Sequence, residues 1–186
     1  MITKQQLTLL MPHASEKNVE KFLIPLCTAM QKYRINTPPR IAAFLAQLEV
    51  ESGSLYYVEE IACGSAYEKR KDLGNLCEEA LSAAHSKKST TGKFYKGHGL
   101  IQITGFYNHK ECGKALELDL VNEPTLLCEP EYAAASAAWF WDTHGCNELA
   151  DVGLFGKITK VINGGYNGAE ERLKAYGRNK KILSVK

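Results

Sequence analysis

The sequence is poor in the features that mark several classes of protein. Its longest apolar runs fall far short of the ~20 residues that cross a bilayer, so stable membrane insertion is not expected. The N-terminus, MITKQQLTLLMPH, carries one lysine and a short apolar patch. No small-residue cleavage site follows it, which is too weak for a signal peptide. Synthesis in the cytoplasm is expected, with any export by a route this N-terminus does not display. Neither sign of charge dominates: 23 Lys and Arg face 21 Asp and Glu, a net charge of +2. That balance gives no reason to expect a nucleic-acid partner. No cysteines stand in a CxxC pair and no histidines at zinc-finger spacing, so structural zinc is not expected. Internal repeats and long linkers are also missing. The 186 residues, 45% hydrophobic and 24% charged, suit a single globular domain over 1–186 with its own core and no separate wall-binding module.

Six cysteines are many for a cytosolic chain: Cys27, Cys63, Cys77, Cys112, Cys128 and Cys146. Buried thiols acting as small hydrophobes are the favoured reading. The alternative is pairing in an oxidising compartment, where a Cys63–Cys77 bridge would staple the loop around Glu68. The C-terminus is locally basic, with Arg172, Lys174, Arg178, Lys180, Lys181 and Lys186. It reads as a solvated helix face, and attraction to an anionic polymer is the sharper alternative.

The pattern along the chain is mostly helical. Ser15 fits an N-cap. Val19, Phe22, Leu23, Leu26, Cys27, Met30 and Tyr33 then mark one helical face, which Pro25 should kink or break. Thr37-Pro38 reads as an N-cap followed by a proline at the first helical position. Ile41, Phe44, Leu45 and Leu48 build a second face, closed by Ser52-Gly53. Residues 53–99 have little periodicity apart from a short helix near 77–84, and SKKSTTGK (86–93) is the most loop-like piece. Leu100–Thr104 reads as a short strand or an extended cleft lining. Helices are expected from Pro130, over 155–163 with Gly164-Gly165 as C-cap, and over 169–183 with Leu173, Tyr176 and Leu183 on one side. The fold class is mainly α, with one irregular, little-β central region.

Three segments carry chemistry. Glu51, at ~100° per residue, falls at the rim of the 41–48 apolar face. A carboxyl there is partly desolvated, which favours its neutral form. Glu49 lies on the opposite rim. Glu68 stands among Lys69, Arg70 and Lys71, cations that favour an ionised carboxylate. One neutral and one charged acid is the pairing that glycoside hydrolysis needs. In GHGLIQITGFYN the polar Gln102, Thr104, Tyr107 and Asn108 are closely spaced. If the segment is extended, Gln102 and Thr104 share one side, with Ile101 and Ile103 facing the core. Thr104 has a hydroxyl that could hold a water near a base. Each segment alone also reads as ordinary helix surface, solvated charge or a structural turn.

Together the stretches TPPRIAAFLAQLEVESGS, YEKRKDLGN, FYKGHGLIQITGFYN, EPTLLCEPEYAAASAAWFW and ITKVINGGYNG resemble the glycoside hydrolase family 19 catalytic domain, its short phage endolysin branch in particular. The resemblance implies a lysozyme-like helical globule with a central cleft. It implies an inverting mechanism without metal or organic cofactor. Glu51 matches the general acid and Glu68 the general base. Thr104 matches the Ser/Thr that positions the attacking water. Gln102, Tyr107 and Asn108 match cleft residues, Asn163 an Asn near the water and base, and Arg172 an Arg that supports the base. The chain departs from the pattern at Val50, where the family has His, at His98, where it has Arg, and over LCEEALSAAHSKKSTTG. Both carboxylates are kept, so activity is expected.

The function implied is an endolysin-type hydrolase cutting β-1,4 bonds between the amino sugars of the peptidoglycan glycan strand. It would be a monomer made in a bacterial host's cytoplasm, released by a partner such as a holin, and acting on the wall in the periplasm. A chitinase on β-1,4-N-acetylglucosamine polymers is the enzymatic alternative. A glycan-binding module without catalysis is the alternative of another class.

Overall fold

The computed structural model describes residues 1–185, so Lys186, the last of the basic residues named above, lies outside them. Ten α-helices stand among the described residues: α1 (Lys4–Leu10), α2 (Glu16–Lys32), α3 (Pro38–Glu51), α4 (Glu78–Ser86), α5 (Thr91–Phe94), α6 (Phe106–Leu116), α7 (Pro130–Thr143), α8 (Cys146–Asp151), α9 (Phe155–Asn163) and α10 (Ala169–Ile182). Short 3₁₀ turns fall at Ser65–Tyr67, Lys71–Leu73 and Pro124–Cys128. The described residues form only isolated antiparallel bridges, Glu59 with His98 and His98 with Ile103.

Ser15 caps α2, its hydroxyl accepting from the Asn18 N–H at 3.2 Å. Pro25 does not break that helix, which runs unbroken from 16 to 32. The missing hydrogen bond costs about 3 kcal/mol. Burial of Val19, Phe22, Leu26, Cys27, Ala29 and Met30 on the same helix offsets it, at roughly 1.5–3 kcal/mol for each large apolar side chain.

Helix α3 is central. Eight consecutive residues, Ala42 to Glu49, are buried, so the helix is enclosed on all sides rather than on one face. Phe44 meets Trp141 of α7 edge-on at 5.3 Å between ring centres. Helix α10 packs along α3 and runs antiparallel to it: Arg172 bonds Gln47, and Asn179, seven residues on, bonds the Ala42 carbonyl. Here the structure corrects two expectations. The buried face of α10 is Arg172, Ala175 and Asn179, while Leu173 is 59% exposed. The C-terminal arginines are not part of a solvated face either. Arg172 is buried, and Arg178 pairs with the buried Glu49 and donates to the Leu10 carbonyl at 2.9 Å.

Away from the main core, Ala80, Tyr95 and Phe106 form a small second cluster beneath the irregular region. All six cysteines are free thiols, Cys63 and Cys77 included. Cys27, Cys112 and Cys146 are buried while Cys63 is exposed. Burial pushes the Cys112 and Cys146 thiols up to about 12.

Candidate active site

Glu51 is the last residue of α3, and the chain behind it turns sharply. Gly53, Ser54 and Leu55 are all left-handed, with φ of 54°, 60° and 65°. Such geometry costs about 1–2 kcal/mol for an L-residue. Ser52 holds it in place: its hydroxyl donates to the Leu48 carbonyl at 2.6 Å and accepts from the Leu55 N–H at 2.8 Å. The reversal leaves the Glu51 side chain 15% exposed beside an almost fully buried Arg172. The rim is therefore not apolar, as the helical pattern had it, because a guanidinium lies against the carboxylate.

Arg172 spans one turn of α3. One terminal nitrogen donates to Gln47 Oε1 at 2.6 Å, and the other lies 2.7 Å from Glu51 Oε1 as an ion pair, off the line of a hydrogen bond. Gln47 and Glu51 are four residues apart and so share a face. Gln47 in turn donates to the Thr159 hydroxyl of α9 at 2.9 Å, and Arg172 Nε donates to the Asn167 carbonyl at 3.2 Å. Gly168 lies over this group with φ +66°; a Cβ there would meet Val50 at 3.3 Å and Arg172 Nε at 3.6 Å. Val50 thus packs under the α9–α10 turn. Asn163, at the end of α9, has a buried Oδ1 with no hydrogen-bond partner in the protein.

Glu68 follows the first 3₁₀ turn of the central loop. Its basic sequence neighbours do not hold it: Arg70 pairs instead with Asp72, at 2.7 Å through Nε. The Glu68 carboxylate accepts from the Thr90 hydroxyl and from the Gly92 N–H at 3.1 Å. Gly92 must be small, because a Cβ there would come within 2.7 Å of the Glu68 nitrogen. The segment that looked most loop-like in sequence is therefore what fixes this carboxylate.

The 97–108 segment is not extended. His98 and Ile103 exchange backbone hydrogen bonds of 3.0 and 2.8 Å, closing a tight turn in which Gln102 is left-handed at φ 59°. Ile101 and Ile103 are buried and Gln102 and Thr104 half-buried, as the alternation anticipated, through a turn rather than a strand. Thr104 donates its hydroxyl hydrogen to the Gln102 carbonyl at 2.9 Å, and Asn108 donates to the Thr104 carbonyl at 2.8 Å. Buried Asn75 ties the Glu68 loop to this segment, donating to the Tyr67 carbonyl at 2.9 Å and accepting from the Phe106 N–H at 3.0 Å. The Tyr107 ring packs over Gly74.

Beneath the turn His98 and His109 form a buried pair, Nδ1 to Nε2, at 3.0 Å. His109 Nδ1 faces the Gly105 carbonyl at 2.8 Å, so it carries the hydrogen. Its Nε2 then accepts from His98 Nδ1–H. Burial, then Lys96, pushes His98 down to about 4; burial, then the neighbouring His98, pushes His109 down to about 3. An unfolded histidine titrates near 6.5. Below that pH the unfolded chain binds protons that the fold refuses, so stability falls as pH drops from about 6.5 toward 3–4. Between pH 6.5 and 5, where carboxylates stay mostly ionised, the melting temperature is expected to decline. A His109→Gln variant should decline less steeply; an identical slope would refute the pair's role.

The residues named from sequence thus fall into two groups. Glu51 and Arg172 meet where α3 and α10 pack, with Asn163 at the end of neighbouring α9. Glu68, Gln102, Thr104, Tyr107 and Asn108 lie on the loop and turn that Asn75 joins. Arg172, expected beside the base, stands against Glu51. Sequence reasoning missed Gln47, Asn75, Thr90, His109 and Thr159. Gln47 did leave a signal, as a lone amide inside the apolar run AFLAQL.

The chitinase class I profile of glycoside hydrolase family 19 matches residues 28–152, a stretch that includes Glu51, Glu68 and Thr104 and stops before Asn163 and Arg172. The chain is 40% identical over 126 residues to an endochitinase of Arabidopsis thaliana, covering 67% of this chain and 39% of that protein. It is 34% identical over 121 residues to a glycosyl hydrolase family 19 domain-containing protein of Haemophilus influenzae, covering 64% and 58%. The chain therefore spans less than two thirds of the length of these relatives. Its fold matches chitinase C from Streptomyces griseus with a TM-score of 0.75 at 22% identity, over 98% of this chain and 76% of that one. It matches a bacterial family 19 chitinase with a TM-score of 0.77 at 24% identity, over 100% and 96%. With the profile matched over well more than half its length, the chain belongs to glycoside hydrolase family 19, the chitinase class I family.

Proposed function

We propose that the protein is an inverting glycoside hydrolase that cleaves β-1,4 bonds between the amino sugars of peptidoglycan. The observation that carries the catalytic part is that each of its two carboxylates is fixed by its own set of partners. Glu51 sits at a half-open helix end beside Arg172, and Glu68 is fixed by a hydroxyl and a backbone N–H on the loop joined to the Thr104 turn. In this reading Glu51 reacts from its protonated form: it gives that proton to the glycosidic oxygen as the bond to the anomeric carbon breaks, and Arg172 faces the carboxylate that is left. A water attacks that carbon from the other face and loses a proton to Glu68. Inversion requires the two carboxyls about 6.5–9.5 Å apart, with the water between.

Thr104 has a defined part. Its own hydrogen is committed to the Gln102 carbonyl, so toward the cleft it can only accept. A water that donates one hydrogen to Glu68 and the other to Thr104 keeps a lone pair for attack. Gln102, Tyr107, Asn108 and Asn163 are the candidate sugar contacts. Asn163 offers a buried acceptor that the protein leaves unpaired.

The biological setting we propose is lysis of a bacterial wall from the periplasm by a monomeric enzyme released with holin help. Chitin is the second substrate reading, favoured by the endochitinase names of the curated relatives. Mass spectrometry of the products from purified peptidoglycan and from chitin oligomers, run in parallel, tests both. Cleavage of peptidoglycan to muropeptides is expected, with a loss of about 10²–10⁴-fold in Glu68→Gln. Cleavage of chitin alone would move the assignment to chitinase. Binding without cleavage of either would leave a glycan-binding module.

A further inference from the structure

One cavity adjoins the candidate base and is lined by cations without acids. It measures about 410 Å³ and is lined by His85, Lys88, Ser89, Thr90 and Lys93, at the end of α4 and the start of α5. Two nearby lysines are paired, Lys87 with Glu123 and Lys96 with Glu59. Lys88 and Lys93, inside the lining, form no ion pair among the described residues, and no acidic side chain lines the cavity. The backbone that presents Lys88 is fixed. Its φ is 55°, its N–H donates to the His85 carbonyl at 2.9 Å, and the next N–H, of Ser89, donates to the Ala84 carbonyl at 2.9 Å. Thr90 forms the wall shared with the candidate site, since its hydroxyl donates to Glu68.

Two unpaired ammonium groups find acceptors but no opposite charge on a neutral polymer. Chitin carries no charge. Peptidoglycan carries a carboxylate on every second sugar, either the lactyl ether of N-acetylmuramic acid or the stem peptide attached through it. We propose that this cavity is a subsite for the carboxylate substituent of an acidic amino-sugar glycan, with Lys88 and Lys93 as its cations. The proposal rests on the reading of Glu68 as a residue of the glycan-cleaving site, and it names the feature that selects an anionic strand over a neutral one. Paired charges set selectivity more than raw affinity, and contacts this exposed weaken in salt.

The test is binding of soluble tetrasaccharides to the Glu51→Gln protein, which holds them without turnover. The ligands are chitotetraose, the alternating N-acetylglucosamine–N-acetylmuramic acid tetrasaccharide with free lactyl groups, the same with stem peptides, and the same with its lactyl groups amidated. A preference of roughly tenfold for a carboxylate-bearing ligand over chitotetraose is expected at low salt. It should shrink at high salt and disappear in Lys88→Gln/Lys93→Gln, with chitotetraose affinity unchanged. A preference shown by the free lactyl ligand assigns the lactyl carboxylate, and one that appears only with stem peptides assigns theirs. Equal affinity for charged and neutral ligands, or a preference that survives the double substitution, overturns the proposal. Hydrolysis by the parent protein is measured alongside. If it cleaves neither glycan, the catalytic reading falls, while the binding comparison still decides the subsite.

Discussion

Replacing Glu51 by glutamine is expected to lower glycan hydrolysis by about 10³-fold, within the range that loss of a positioned general acid produces. The fold should survive. Arg172 keeps its hydrogen bonds to Gln47 and to the Asn167 carbonyl, and the glutamine carbonyl can still face the guanidinium. Glu49 is the control that gives the result meaning. It lies two residues earlier on the same helix, but it is 9% exposed and paired with Arg178, which also bonds the Leu10 carbonyl. That carboxylate braces α1, α3 and α10 against one another. Glu49→Gln should therefore lower the melting temperature and leave the rate per folded molecule near the parent's. A folded Glu51→Gln protein with parental turnover, or inactivation confined to Glu49→Gln, would sink the choice of Glu51. Rates on permeabilised cells and purified glycan, with circular dichroism of each variant, separate these outcomes.

What the sequence made legible, and what it did not, divides along physical lines. Helix boundaries set by local chemistry were readable: the Ser15 cap, the Pro38 and Pro130 starts and the Gly164 stop all occur. These signals act within a few residues and need no tertiary partner. The break allowed for at Pro25 does not occur, because the effect of a proline depends on how much apolar surface the rest of the helix buries. The partners of the two carboxylates were hidden for a related reason. Glu68 is flanked in sequence by three cations, yet its hydrogen bonds come from Thr90 and Gly92, more than twenty residues away. Adjacency along a turn does not aim side chains at one another, and the polar grip on Glu68 comes from a segment whose composition reads as loop. The α10 face was legible only in part: Tyr176 and Leu183 pack on the core but Leu173 does not, because apolar periodicity was used to find the face. The residues it buries include an arginine and an asparagine, each held by polar groups of α3.

That polar seam makes Arg172→Met the substitution with the largest expected cost in stability. Methionine keeps much of the length and removes every donor. Gln47 Oε1, on a residue with no exposed surface, then loses its partner, and the Glu51 carboxylate loses its neighbouring cation. Removing one member of a buried ion pair costs 3–5 kcal/mol. Glu51 is 15% exposed and can recover some hydration, so about 3 kcal/mol is expected. For a chain of this length that is a fall of roughly 6–12 °C in melting temperature. Turnover should fall with it even below the melting transition, because nothing else among the observed contacts orients the Glu51 side chain. A double-mutant cycle with Glu51→Gln separates packing from charge. If the guanidinium acts mainly on the carboxylate, Arg172→Met costs clearly less in the glutamine background, with a coupling above about 1 kcal/mol. If the two costs simply add, Arg172 serves Gln47 and the α3–α10 seam alone, and its part in positioning Glu51 is disproved.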